Sequence, residues 1–201
     1  MWPQSLAGWS QGGPRTAGYA ARYPGKVARL VVLAPAYNRA GPTEAPNPLP
    51  ADRPPMNVQT RAAFDANWER QVGCAGQYEP ATSAAVWSEM VASDNVGVTW
   101  TPPVRRAPNV PSWGFNQEVV AKIKTPFLMV TGIHDKEVVP PHVRDLYADL
   151  GSTNKIFVEL ACSSHNAMWE RNHLLLFKAS LEFLQAGTVN GVSQGELRLG
   201  H

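Results

Sequence analysis

The chain has 201 residues, 44% of them apolar, and a formal net charge of +2, which suits one domain, or a core with a modest insertion, around a real hydrophobic interior. It holds no Lys/Arg-rich run of the kind that marks a nucleic-acid-binding protein, and no uninterrupted apolar stretch of membrane-span length. No signal-peptide pattern opens it, so the compartment stays open with the cytoplasm favoured.

Residues 4–9 (QSLAGW) predict a short strand. From Gln11 to Arg22 the pattern is helical and rich in small residues, with Pro14 tolerated in a first turn. Tyr23-Pro24-Gly25 stops it. Val27–Leu33 (VARLVVL) is a nearly continuous apolar run, as expected of a strand covered on both faces. Strand, helix and strand in so short a span make a βαβ unit.

Residues 35–60 then carry Pro35, Pro42, Pro46, Pro48, Pro50, Pro54 and Pro55 and read as an irregular excursion. Helical stretches follow near 58–73 and 81–93, and a second Pro-rich loop covers 101–112. Trp68, Trp87, Trp100 and Trp113 fall in this middle region. They suit a lid over an apolar pocket, or plain packing of an insertion onto the core. Regular alternation resumes with Phe127–Thr131 (FLMVT), a buried strand, then a short helix over 142–150 and a strand at Lys155–Leu160. Trp169–Leu184 predicts a helix with Leu174, Phe177, Leu181 and Leu184 on one core-facing stripe. The Gly-rich, polar tail from Ala186 is expected to fray. The expected divisions are thus 1–37 and 118–185 as core, 38–117 as a helical cap insertion and 186–201 as tail.

Chemistry enters at Gly8-Trp9-Ser10-Gln11-Gly12, a G-x-S-x-G pentapeptide between the first strand and the first helix. A serine there sits on a sharp turn that projects its hydroxyl from the sheet, with glycines flanking it where side chains would collide with crossing backbone. The helix start adds free N–H groups and a positive dipole end. The Gln11 N–H is therefore a candidate donor to a developing oxyanion. A serine hydroxyl needs a base and the base an orienting acid, both expected at the ends of later parallel strands. Asp135 follows FLMVT in GIHDKEVVPP, and His165 follows KIFVEL in ACSSHNAMWE.

Other readings compete. Glu137 could accept the histidine in place of Asp135. His134, Glu137 and His142 match no recognised metal spacing, so no metal site is expected. His173 reads as a packed or solvated histidine. Cys162 has no elbow of its own and reads as a neighbour of the site. With Cys74 it forms no disulfide framework, so two reduced thiols are expected, with a single bridge left open.

Elbow, following strand VARLVVLAPAY, insertion, PFLMVTGIHDKEVVPP and SSHNAMWE together resemble the α/β-hydrolase superfamily, in outline over most of the chain. The resemblance implies Ser10 as nucleophile, His165 as general base, Asp135 as its orienter and no cofactor. The serine argues against the epoxide hydrolases and dehalogenases of the superfamily, which use Asp there. Trp9 and Met168 are candidates for the pocket wall. The resemblance also implies about four strands before the nucleophile, and a second oxyanion N–H from an early loop. Only Met1-Trp2-Pro3 precede Gln4. The expected fold is therefore the C-terminal part of an α/β hydrolase, about four mainly parallel strands with flanking helices and a helical cap. Its first strand would be an unpaired apolar edge open to a second copy. Lack of the second donor would slow catalysis by about 10²–10³. The implied activity is hydrolysis of a small-molecule ester or related acyl compound. Acyl transfer, lactone or amide hydrolysis, C–C cleavage, perhydrolysis and a non-catalytic assembly or binding module stay open.

Overall fold

A computed structural model describes residues 2–44, 58–104 and 114–200. Pro46, Pro48, Pro50, Pro54, Pro55 and Trp113 lie outside the described residues. Five strands, β1 (Gln4–Trp9), β2 (Val27–Leu33), β3 (Phe127–Gly132), β4 (Lys155–Leu160) and β5 (Gly195–Leu199), form one sheet in that order, every pair parallel. Helix α1 (Gly12–Arg22) joins β1 to β2. Among the described residues three helices, α2 (Arg61–Arg70), α3 (Thr82–Ala92) and α4 (Gln117–Val120), lie between β2 and β3, and α5 (Pro140–Asp149) and α6 (His173–Ala186) make the last two crossovers.

The runs read as strands from apolar continuity are strands because both their faces are covered. Every residue of β3 is buried, and Leu30, Val32, Phe157 and Leu160 are fully buried beside it. Helix ends follow local chemistry. The Thr60 hydroxyl caps α2 by accepting from Ala63 N–H at 3.2 Å, Pro140 and Pro141 open α5, and Gly187 closes α6 in the left-handed conformation, φ 75°. Among the described residues no helix is long and apolar enough to cross a membrane.

The structure departs from sequence expectation most in the tail and in α6, which begins at His173 rather than Trp169. The tail does not fray. Residues 195–199 add β5 to β4, so among the described residues the sheet has five strands where about four are expected. Leu197 and Leu199 pack on the core, and Ala161 N–H donates to Leu199 O at 2.9 Å. Helix α6 turns another face inward, and of the expected stripe Leu184 alone packs on the core. Leu174, Phe177 and Leu181 are 68%, 50% and 56% exposed, whereas Leu176, Ala179 and Phe183 are buried against the sheet. The helix is apolar on several sides, so period alone cannot choose its inner face. Small Ala179 lets it approach the strands.

Phe64, Trp68, Trp87 and Val91 form a second apolar cluster between α2 and α3, with Trp169 of the main body packed against it. Trp68 and Trp87 thus do packing work: Trp68 meets the Trp169 ring at 5.9 Å between centroids. Strand β1 is an edge of the sheet and bonds β2 alone among the described strands.

Candidate active site

In a parallel sheet every strand's carboxyl end lies on one side, and residues just past those ends can meet. Ser10 directly follows β1, Asp135 lies three residues past β3, and His165 five past β4.

Ser10 has φ 52°, a left-handed conformation that a non-glycine residue adopts only when its surroundings enforce it. Its N–H donates to Leu33 O at 2.9 Å, and its carbonyl accepts from Gly13 and Ala36 at 3.0 and 3.2 Å. The turn is pinned from both sides. A Cβ on Gly8 would lie 2.4 Å from Gly12 O, so this position requires glycine. Gly12, the other flanking glycine, would meet nothing within 4 Å. The steric requirement expected of it belongs instead to Gly13, where a Cβ would lie 2.6 Å from Pro35 Cβ. Gln11 precedes α1, and its N–H makes no hydrogen bond among the described residues.

His165 and Asp135 form a pair. The distance from His165 Nδ1 to Asp135 Oδ2 is 3.0 Å, with side chains 10% and 0% exposed. The other oxygen, Oδ1, accepts the N–H groups of Glu137 at 2.8 Å and Val138 at 2.9 Å. This fixes the carboxylate plane, and the acceptor facing Nδ1 selects the tautomer with its proton there. Glu137 is not on the histidine; its carboxylate pairs with Arg70. Trp9 Nε1 donates to His165 O at 2.9 Å, and the Trp9 ring lies 5.3 Å from both the His165 and Trp169 rings. The elbow therefore rests against the histidine loop. Met168 packs on the main core. His142 is exposed on α5, and His173 Nδ1 lies 2.7 Å from Glu170 O.

The segment after α2 reaches both loops. Cys74 and Cys162, expected as reduced thiols, are joined in a disulfide with Cα atoms 5.7 Å apart. They lie 88 residues apart in sequence, and only the fold of the segment between β2 and β3, the expected insertion, brings Cys74 to the end of β4. Beside them sits a buried polar chain that sequence reading missed. Lys136 N–H donates to Gln71 Oε1 at 2.9 Å, Gln77 Nε2 to Gln71 O at 3.1 Å and to Glu170 Oε1 at 2.8 Å. Glu170, 1% exposed, also accepts from Ser164 N–H at 2.6 Å and Ser164 Oγ at 2.5 Å. Burial pushes its carboxyl above the usual range against these donors, and Asp135 adds to the rise. The only hint in the sequence was a carboxylate directly after the apolar run AMW.

No family model matches the chain. Over 70 residues it is 33% identical to the alpha/beta hydrolase domain-containing protein WAV2 of Arabidopsis thaliana, which is 34% of this chain and 23% of that protein. Solved structures align over nearly the whole chain. The meta-cleavage product hydrolase CumD of Pseudomonas fluorescens is 16% identical with a TM-score of 0.63, covering 93% of this chain and 66% of that one. CarC, a serine hydrolase involved in carbazole degradation, is 16% identical with a TM-score of 0.58, covering 91% and 64%. The structure reported for the metagenome-derived lipolytic enzymes LipS and LipT is 22% identical with a TM-score of 0.53, covering 91% and 65%. The chain thus spans about two thirds of the length of these structures and under a quarter of the plant protein.

Proposed function

From the α/β-hydrolase fold that this chain has, we propose that it is a serine hydrolase acting on carboxylic esters or related acyl compounds through an acyl-Ser10 intermediate. The observation that carries this reading is the His165–Asp135 pair at 3.0 Å, with the Ser10 elbow resting against the loop that carries His165. Ser10 Oγ attacks the substrate carbonyl while His165 Nε2 takes its proton, and Asp135 holds the imidazole by Nδ1–H and stabilises its charged form. The Gln11 N–H, which bonds nothing among the described residues at the start of α1, donates to the oxyanion as the tetrahedral centre forms. His165 then returns the proton to the leaving alkoxide. A water, deprotonated by the same imidazole, releases the acid and regenerates Ser10.

The nucleophile elbow and the acid–base pair do not select the acyl group, so a C–C bond beside a carbonyl or an acyl acceptor other than water falls within the same chemistry. The test is incubation of wild type and Ser10→Ala with a short-chain p-nitrophenyl ester and a fluorophosphonate probe. Labelling and turnover in wild type, both lost in the variant, are expected. A second reading, an assembly module without turnover, draws support from β1, whose outer edge bonds no strand among the described residues. It predicts an unlabelled protein that elutes as an oligomer, and a labelled monomer overturns it.

A further inference from the structure

We infer that Glu170 is a positioning residue, a buried carboxylate that fixes the backbone on both sides of His165 and ties it to the insertion through Gln77. The inference rests on the serine-hydrolase reading above, because what is positioned is the base.

His165 is already held at two points, Nδ1 by Asp135 and its own carbonyl by Trp9. Neither contact holds the chain entering it. The Cys162 disulfide and His134 N–H on Ser163 O at 2.9 Å hold it further back, and Ser164 holds it directly beside the histidine. Its N–H goes to Glu170 Oε2 and its hydroxyl to Oε1, so the residue before the histidine is gripped by both oxygens of one carboxylate. The same hydroxyl accepts from Asn166 N–H at 3.2 Å, so the residue after the histidine leans on the same group.

The grip extends to the acid. Gln77 donates to Glu170 and to Gln71 O, and its own Oε1 accepts from Gly73 N–H at 2.8 Å. Gln71 in turn accepts the N–H of Lys136, the residue after Asp135. An unbroken hydrogen-bonded path therefore runs from the backbone beside Asp135, through the insertion, to the backbone beside His165. Gln71, Gln77, Ser164 and Glu170 are all buried.

A carboxylate is the right group for this place. Three donors converge on its two oxygens, and an amide of the same shape would turn an NH₂ toward one of them. Burying a charge is costly, and apolar packing would serve mere stability as well or better. A buried acid with every partner a donor is suited to setting geometry.

The experiment compares wild type, Glu170→Gln, Gln77→Leu and their double variant. Active sites are counted by fluorophosphonate labelling, and kcat per labelled site, KM and Tm are measured with the p-nitrophenyl ester. Displacement of a reacting group by an ångström costs about 10²-fold in rate, and a fall of that order in kcat for Glu170→Gln is expected with KM changed by less than about twofold. Gln77→Leu lowers kcat less. In the double variant it adds little, because both substitutions open one path. A Glu170→Gln protein with a lower Tm but kcat per site within about twofold of wild type overturns the inference, and so does a change confined to KM. If Glu170→Gln does not fold, Ser164→Ala carries the test: it leaves Glu170 its other donors, its kcat is expected to fall, and an unchanged kcat overturns the inference. A wild type that is neither labelled nor active overturns both readings. A labelled wild type with an unaffected Glu170→Gln overturns this one alone.

Discussion

The indole N–H of Trp9 donates to the carbonyl oxygen of His165 across 2.9 Å, joining residues 156 apart in sequence. Trp9 directly precedes Ser10, so one bond ties the elbow to the loop that carries the proposed base. The ring of Trp9 also lies 5.3 Å from that of Trp169, which meets Trp68 of the insertion. Elbow, histidine loop and insertion thus share one aromatic seam.

Trp9→Phe keeps an aromatic ring in the seam and removes the donor together with part of the ring contact. A net hydrogen bond is worth about 0.5–1.5 kcal/mol of stability, roughly 1–6 °C in Tm for a chain of this size, and as the loop loosens kcat/KM is expected to fall by up to about tenfold. Steady-state kinetics on the p-nitrophenyl ester check this. An unchanged kcat/KM would show that ring packing alone holds the loop.

The glycines of the elbow separate into required and dispensable. Gly12→Ala places its methyl in open space and is expected to leave the protein as stable as wild type, or up to about 1 kcal/mol more stable. Gly8→Ala and Gly13→Ala drive a methyl to 2.4 Å from Gly12 O and 2.6 Å from Pro35 Cβ. Crowding of this kind costs about 1–3 kcal/mol or more. Urea unfolding of the three variants should place Gly12→Ala alone at or above wild type.

The strands, and the places of the candidate site residues just past them, were legible because both are local signals. Apolar continuity marks Val27–Leu33, Phe127–Thr131 and Lys155–Leu160, and Ser10, Asp135 and His165 each follow a strand within a few residues. What was not legible depends on contacts between distant segments. The run Leu174-Leu175-Leu176-Phe177 offers several apolar faces, and only the packed sheet selects Leu176 over Leu174 and Phe177. Leu197 and Leu199 look like tail until β4 is beside them. Gln77 and Glu170 lie 93 residues apart, and polar pairing at that range leaves no periodicity to read.

Asp149 makes stability depend on pH. Burial pulls its carboxyl upward, but hydrogen bonds from Arg39, Tyr37 and Gln117 and the Arg39 charge outweigh this and hold it below the usual carboxylate range. The folded chain thus binds this proton more weakly than the unfolded one. The stabilisation is complete above the unfolded carboxylate pKa, about 3.9, and is lost as pH falls through the folded value. Asp149→Asn is expected to lower the urea midpoint at about pH 7, with the gap to wild type closing as the pH drops below about 4. Midpoints that stay equally separated down to about pH 3 would assign the effect to packing rather than charge.

The disulfide between Cys74 and Cys162 gives the final prediction. It closes a loop across 88 residues and pins the insertion three residues before His165. A cross-link restricts the unfolded chain, more so for a long loop, and is worth about 2–4 kcal/mol. For a chain of this size that corresponds to roughly 5–15 °C in Tm. A phosphine reductant should lower the Tm of wild type by that amount and leave the Cys74→Ser/Cys162→Ser double variant unmoved at the lower value. Because Gln77 and Glu170 still join the same segments when the bridge is open, kcat per labelled site in the double variant should fall less than in Glu170→Gln. The reverse order would make the covalent bridge, and not the carboxylate, the main hold on the histidine loop.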